Sequence, residues 1–306
     1  MNTSGIWLTG CNGMLGTELS LALERRGIPY EGTDREVDIT DSAAVKDFAK
    51  QFRPRGSGTK PGWIINCAAY TAVDKAEEEP EICRLLNVRG AGNLAEAGAA
   101  FNLRLLQIST DYVFDGRGIT ENGTIRPYRE DDPTNPTGVY GRTKRDGENA
   151  VMETSPAFYI LRTAWLYGAH GNNFVRTMLR LMTERDTLAV VDDQRGSPTW
   201  AYDLAEALAA LIIFVDSGHE VPYGIYHYTN EGNITWYDFA RQIQALGREK
   251  DLLNRECTLT PCTSAEYPAK VKRPSYSVLD KTKIRTALGI TVPGWERSLN
   301  AFMETL

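Results

Sequence analysis

Histidine and paired cysteine are scarce in this chain. The three histidines are scattered and show no ligand spacing, which argues against a transition-metal site. Cys11, Cys67, Cys83, Cys257 and Cys262 form no Cys-x-x-Cys pair, so they read as buried, reduced thiols of a cytoplasmic protein rather than a disulfide frame. Long apolar runs are missing as well. The longest, Ala205 to Val215, suits a core helix and falls short of the ~20 residues of a membrane span. No charged segment followed by an apolar one opens the chain, so neither a secretory signal nor a membrane partner is expected. Positive charge is not in excess: 34 Lys and Arg face 40 Asp and Glu, a net charge of −6. That balance argues against nucleic acid or an anionic membrane as the main partner, and any anion site has to be built locally.

What remains is an ordinary globular composition, 42% hydrophobic and 24% charged over 306 residues, enough for one large domain or a large and a small one. The run Gly5 to Thr9 leads into Gly10-Cys-Asn12-Gly13-Met14-Leu15-Gly16, after which apolar residues recur at helical spacing until Arg25, Arg26 and Gly27. Strand, glycine turn, helix, terminal cations and closing glycine agree on a βα unit. Such a turn lets the backbone approach a pyrophosphate at a helix N-terminus, although the spacing is Gly-x-x-Gly-x-x-Gly rather than the commoner Gly-x-Gly-x-x-Gly. A second strand, Ile28 to Thr33, ends at Asp34-Arg35. The acid is placed for a ribose 2′-hydroxyl and the arginine for a 2′-phosphate, which leaves NADH and NADPH both open. Asp38-Ile39 is placed for an adenine, and Asp41 caps a helix running through Phe52.

Residues 53–62 are a loop by composition, longer than usual and without an assigned role. Trp63 to Asn66 is the third strand, followed by the small residues Ala68 and Ala69, which permit a close approach. A helix through Leu94 and Ala97 begins near Pro80. Leu103 to Ser109 is the fourth strand, ending at Thr110-Asp111-Tyr112, and polar groups at that end of a parallel sheet face the ligand crevice. Residues 115–137 read as a loop over the crevice. Next comes a helix carrying Tyr140 and Lys144, four apart and therefore on one face. Ala157 to Leu161 is a fifth strand. The order predicts an α/β fold, a doubly wound parallel sheet (Rossmann-like), with residues 1–168 binding a dinucleotide and some later segments returning to it. Residues 169–306 are expected to be mainly a smaller C-terminal substrate-binding domain.

Together these elements suggest hydride transfer from NADPH or NADH to a carbonyl. Tyr140 delivers the proton, Thr110 fixes the oxygen, and Lys144 lowers the tyrosine pKa and holds the nicotinamide ribose.

The motifs Gly10-x-x-Gly13-x-x-Gly16, Thr110 and Tyr140-x-x-x-Lys144 resemble the extended short-chain dehydrogenase/reductase family. Further matching stretches are Asn66 to Glu77, Ser109 to Phe114, Val139 to Lys144, Arg162 to Trp165, Gly171 to Phe174 and Arg273-Pro274. The resemblance implies NAD(P)H-dependent reduction of the 4-keto group of a dTDP-linked sugar. It implies Thr110, Asp111 and Trp165 at the sugar, and Ser109, Ala69, Tyr70 and Thr71 beside Ala68 at the cofactor. Asn173, Gln194, Arg195 and Arg273 are candidates for the nucleotide diphosphate. Some relatives form dimers around a magnesium ion held by glutamates. The corresponding stretch here, Thr199-Trp-Ala-Tyr202, has no glutamate, which argues against a magnesium-linked dimer and leaves monomer and homodimer open. Two rivals are a sugar-nucleotide dehydratase or epimerase, disfavoured because Thr110 is followed by Asp111-Tyr112 rather than Asp-Glu, and a non-catalytic subunit similar to the methionine adenosyltransferase β subunit.

Overall fold

The computed structural model describes residues 4–52, 61–267 and 270–306. Most of the long loop expected at 53–62 therefore lies outside the described residues. Six parallel strands form the central sheet: β1 (Ile6–Thr9), β2 (Tyr30–Thr33), β3 (Gly62–Asn66), β4 (Leu103–Thr110), β5 (Phe158–Thr163) and β6 (Gly224–His227). Their spatial order is β6-β5-β4-β3-β1-β2. The order reverses between β1 and β3, which opens the crevice where such sheets bind ligands.

Alternation along the strands divides the core. Ile6, Leu8, Trp63, Ile65 and Leu106 face one layer of helices, namely α1 (Met14–Arg25) and a late helix at Ala201–Asp216. Trp7, Ile64 and Leu105 face the other, which holds α2 (Ser42–Gln51), α3 (Ala91–Phe101) and α4 (Val139–Thr154). The inner strands β1, β3 and β4 are buried on both sides, as a parallel sheet requires, while the edge strand β2 is partly exposed. Two elements of the C-terminal half, β6 and the Ala201–Asp216 helix, thus pack with the sheet. A separate cluster around Met178, Phe239, Trp295 and Phe302 builds the remainder on α5 (Phe174–Glu184), α6 (Trp236–Glu249) and Trp295–Met303.

Local signals behave as their chemistry demands. The Asp41 side chain accepts from the Ala43 and Ala44 N–H groups, and Pro80 is the first residue of the helical turn Pro80–Arg84. That turn continues through a π-helical segment, Leu85–Gly90, directly into α3. The stretch 115–137 is not all loop: Ile119–Glu121 and Thr124–Arg126 form an antiparallel hairpin. Its turn, Asn122-Gly123, has both residues at positive φ, the preferred type I′ chemistry. All five cysteines are free; Cys83 and Cys257 are buried and the other three only partly so. Among the described residues, no helix is long and apolar enough to cross a membrane.

Helix α4 is fixed to the sheet by a buried ion pair. Arg162 of β5 donates from Nε to Glu148 Oε1 at 2.9 Å and from Nη2 to Oε2 at 2.7 Å, and both residues are buried. Removing one partner leaves a buried charge unpaired. Glu148→Gln is expected to lower the unfolding free energy by about 3–5 kcal/mol, read from urea denaturation.

Candidate active site

The carboxyl ends of β1, β3 and β4 are stitched by buried side chains. Thr9 Oγ1 donates to Asn66 Oδ1 at 2.8 Å, and Asn66 Nδ2 donates to Gln107 Oε1 at 2.8 Å. Gly10 follows β1 at φ +67, and a Cβ there would fall 2.6 Å from the Ala68 nitrogen. A Cβ on Gly16 would fall 2.1 Å from the Gly10 carbonyl oxygen. Only glycine lets the turn lie this close to the segment after β3. No side chain caps α1 at Gly13, so its first N–H groups are left for a ligand.

This turn opens a cavity of about 430 Å³ whose lining includes Gly13, Met14, Leu15, Ala68, Ala69, Thr71, Ser109, Thr110, Asp111, Tyr140, Lys144 and Trp165. Nearly half of the residues proposed from sequence for the cofactor thus meet the reacting trio in one space. Asn12 is exposed at the turn. Tyr70 stands beside the cavity; its backbone N–H donates to Asn87 Oδ1 at 2.9 Å and its carbonyl accepts from Asn87 Nδ2 at 3.2 Å. Asn87 also donates to Thr143 Oγ1 at 3.1 Å, tying the cofactor segment to α4. Asn87 was not foreseen from sequence, because the π-helical turn presenting it has no compositional mark.

Asp34, Arg35, Asp38 and Ile39 do not line this cavity. Asp34 lies just past β2, where its backbone N–H donates to Glu36 Oε1 at 2.8 Å. Asp38 Oδ1 accepts from the Thr40 N–H and hydroxyl at 2.9 and 2.8 Å. The Ile39 side chain enters the core, and its carbonyl accepts from Asn93 Nδ2 at 2.8 Å.

At the reacting end, Thr110 Oγ1 donates to Asp111 Oδ1 at 3.0 Å. The Ser109 hydroxyl is buried without a hydrogen-bond partner and so is open to a ligand, while the Asp111 carboxyl lies beside both the Thr110 and the Ser277 hydroxyls. Burial raises the Asp111 carboxyl to about 6. Lys144 Nζ donates to the Ile108 carbonyl at 2.7 Å. The expected lowering of the tyrosine pKa by this lysine is not what the structure shows. Burial pushes the Tyr140 phenol upward, against a smaller pull from the Thr110 hydroxyl. Burial also brings Lys144 down to about 8, with Glu148 opposing. The reason is common to both: a low-dielectric cavity disfavours phenolate and ammonium alike. At neutral pH the result is a protonated tyrosine beside a charged lysine.

Trp165 follows at φ +49, a left-handed conformation that costs a bulky residue about 1–2 kcal/mol. Its indole stacks on Trp236, with ring centroids 3.5 Å apart and planes at 10°. Trp236 in turn lines a second cavity, of about 1060 Å³, together with Phe174, Gln194 and Arg273. Charge in that lining comes from Arg185, Lys272 and Arg273 against the carboxylate of Asp193. Gln194 Nε2 donates to Ser264 Oγ at 2.9 Å. Arg273 Nη2 meets Asp74 Oδ2 at 3.4 Å, while its buried Nε has no protein partner.

Two phosphate candidates are engaged elsewhere. Asn173 caps α5, accepting from the Arg176 N–H at 3.2 Å and donating to the Gly168 carbonyl at 2.8 Å. Arg195 spends its guanidinium on Asn233, from Nε to Oδ1 and from Nη2 to the carbonyl, both at 3.0 Å. Neither lines either cavity.

A doubly wound sheet with this glycine turn, and with Thr110, Tyr140 and Lys144 at its edge, defines an NAD(P)H-dependent oxidoreductase of the short-chain dehydrogenase/reductase class. The family model described as RmlD substrate binding domain matches residues 4–306, and the chain belongs to that family. It is 47% identical over 304 residues to a dTDP-4-dehydrorhamnose reductase of Streptomyces griseus, covering 98% of this chain and 93% of that one. It is 40% identical over 305 residues to a probable dTDP-4,6-dihydroxy-2-methyloxan-3-one 4-ketoreductase of Streptomyces antibioticus, covering 98% and 95% of the two. The crystal structure of dTDP-4-dehydrorhamnose reductase from Bacillus anthracis, in complex with NADP, superimposes with a TM-score of 0.87 at 35% identity. It covers 99% of this chain and 100% of that one.

The state of Lys144 yields a pH prediction. Because Lys144 is charged below about 8 and neutral above, affinity for the anionic NADPH is expected to weaken as pH rises through that value. Fluorescence titration checks it, and Lys144→Met is expected to bind more weakly and with a flattened pH dependence.

Proposed function

We infer that the chain reduces the 4-keto group of dTDP-4-dehydro-L-rhamnose with NADPH or NADH, giving dTDP-L-rhamnose. The observation that carries this reading is the meeting of two cavities. One begins at the α1 N-terminus and contains Thr110, Tyr140 and Lys144; the other is lined by three cations, and the stacked pair Trp165–Trp236 stands between them. A sugar nucleotide has this division, a keto sugar on one side and an anionic nucleotide on the other.

The dinucleotide fits the smaller cavity on the chain's own geometry. The glycines exclude any Cβ, the helix start is uncapped, and the Ser109 hydroxyl is open to a partner. Gly10, Gly13 and Gly16, with the N–H groups of Met14 and Leu15, hold the pyrophosphate. Ala68, Ala69 and Thr71 flank the rings. Asp34 and Arg35 take the adenosine ribose side. When bound, the reduced cofactor supplies a hydride to the carbonyl carbon.

The residues of the chain do the rest. Tyr140, kept protonated by burial, donates its proton to the sugar oxygen. Thr110, whose hydroxyl donates to Asp111 in the structure, turns that hydroxyl to the same oxygen and fixes the carbonyl. Lys144, anchored on the Ile108 carbonyl, directs its remaining N–H groups to the ribose and limits the cost of the phenolate that Tyr140 becomes. Arg273 and Lys272 hold the diphosphate against the net negative charge of the chain. Trp165 covers the sugar. We place the reaction in the cytoplasm, where five unpaired thiols stay reduced.

The test is turnover of dTDP-4-dehydro-L-rhamnose followed as loss of NADPH absorbance, with dTDP-4-keto-6-deoxyglucose in parallel to assess the choice of sugar. Tyr140→Phe is expected to lose about 10²–10⁴-fold in kcat while binding NADPH as the parent does. Undiminished turnover in that variant removes the assigned proton donor.

A further inference from the structure

Trp165 does not hold its left-handed backbone alone. On one side its indole lies flat against Trp236 at 3.5 Å. Gly196 also stands against the ring: any Cβ there would fall 2.5 Å from Trp165 Cε2. Both neighbours come from a single short ladder. Arg195–Gly196 pairs antiparallel with Ile234–Thr235, Gly196 facing Ile234, and Trp236 follows as the first residue of α6. The ladder is braced at two points. Arg195 grips Asn233, and Thr235 with Asp238 forms a capping box that fixes where α6 starts. Arg195 thus braces this ladder through its Nε and Nη2 groups. Phe174 closes the arrangement at 4.5 Å from Trp236.

We propose that Trp236 is a positioning residue for the reduction: with Gly196 it forms a slot that holds Trp165 upright, fixing the wall against which the sugar of the sugar nucleotide lies. The proposal rests on the sugar-nucleotide reading above. Trp165 lines the reaction cavity and Trp236 the cationic one, so the pair is their shared boundary. Aromatic stacking by Trp236 and the absence of a Cβ at Gly196 both act on one indole. Losing either lets the ring leave its place without touching the cofactor side.

The full chain is tested as Trp236→Leu, Trp236→Phe and Gly196→Ala. KM and kcat are measured for dTDP-4-dehydro-L-rhamnose, and NADPH affinity by fluorescence titration. Trp236→Leu is expected to raise the sugar-nucleotide KM at least about fivefold with NADPH affinity within about twofold, and Trp236→Phe to recover most of the loss. Gly196→Ala, pressing a methyl group into the ring, is expected to give the same selective rise. The circular-dichroism signal of the stacked indoles is expected in the parent and absent from Trp236→Leu. A sugar-nucleotide KM unchanged in both Trp236→Leu and Gly196→Ala overturns the proposal. Where Trp236→Leu no longer binds NADPH, Gly196→Ala alone decides between these outcomes. A parent chain that leaves NADPH unoxidised with this substrate removes the functional reading itself, and the proposal with it.

Discussion

The site depends on how firmly α4 is held against the sheet. Lys144 crosses to the Ile108 carbonyl of β4, and Glu148, one turn further, grips Arg162 of β5. Close backbone contact completes the attachment: a Cβ on Gly141 would fall 2.2 Å from the Tyr112 oxygen, and one on Gly147 2.1 Å from the Asn87 oxygen. Tyr140 sits on the first turn of this helix, so its height above Thr110 follows from contacts made further along. Buried charges are costly, and the two-pronged Arg162–Glu148 geometry offsets that cost while fixing register.

The parts of the fold that were legible in the sequence are those whose chemistry is local. The β1–α1 unit announced itself by apolar runs broken at Gly10, Gly13 and Gly16, and the Asp41 cap and the Pro80 start each followed from one side chain. Tyr140 and Lys144 were readable because a four-residue spacing on a helix has one geometric meaning. What was not legible depends on contacts distant in sequence. Arg195 read as a phosphate candidate, and nothing local announced its contact with Asn233, 38 residues away across a two-residue ladder. Asn173 looked available, but its position ahead of Phe174 makes it a cap. The hairpin after Ile119 had a signal that composition masked: Asn122-Gly123 is a hairpin turn, here hidden in a stretch rich in glycine and proline.

The direction of the Tyr140 shift is the most instructive difference. A lysine four residues from a tyrosine suggests a lowered phenol pKa, but that inference assumes the pair is solvated. In the cavity, desolvation dominates and moves the two groups in opposite directions, the phenol up and the ammonium down. For a reductase this arrangement serves, since the tyrosine must carry a proton at the start and the lysine must carry charge when that proton leaves. The same logic applies to the cationic cavity proposed for the nucleotide: in a chain of net charge −6, Arg185, Lys272 and Arg273 are gathered in one lining.

The most direct measurement is the fate of the hydride. The protein is incubated with dTDP-4-dehydro-L-rhamnose and NADPH deuterated at the transferable C4 position, and the product sugar is examined by NMR. Direct reduction at the site described here predicts dTDP-L-rhamnose carrying one deuterium at C4 of the sugar. A product without deuterium at that carbon, or with deuterium at another, would contradict it.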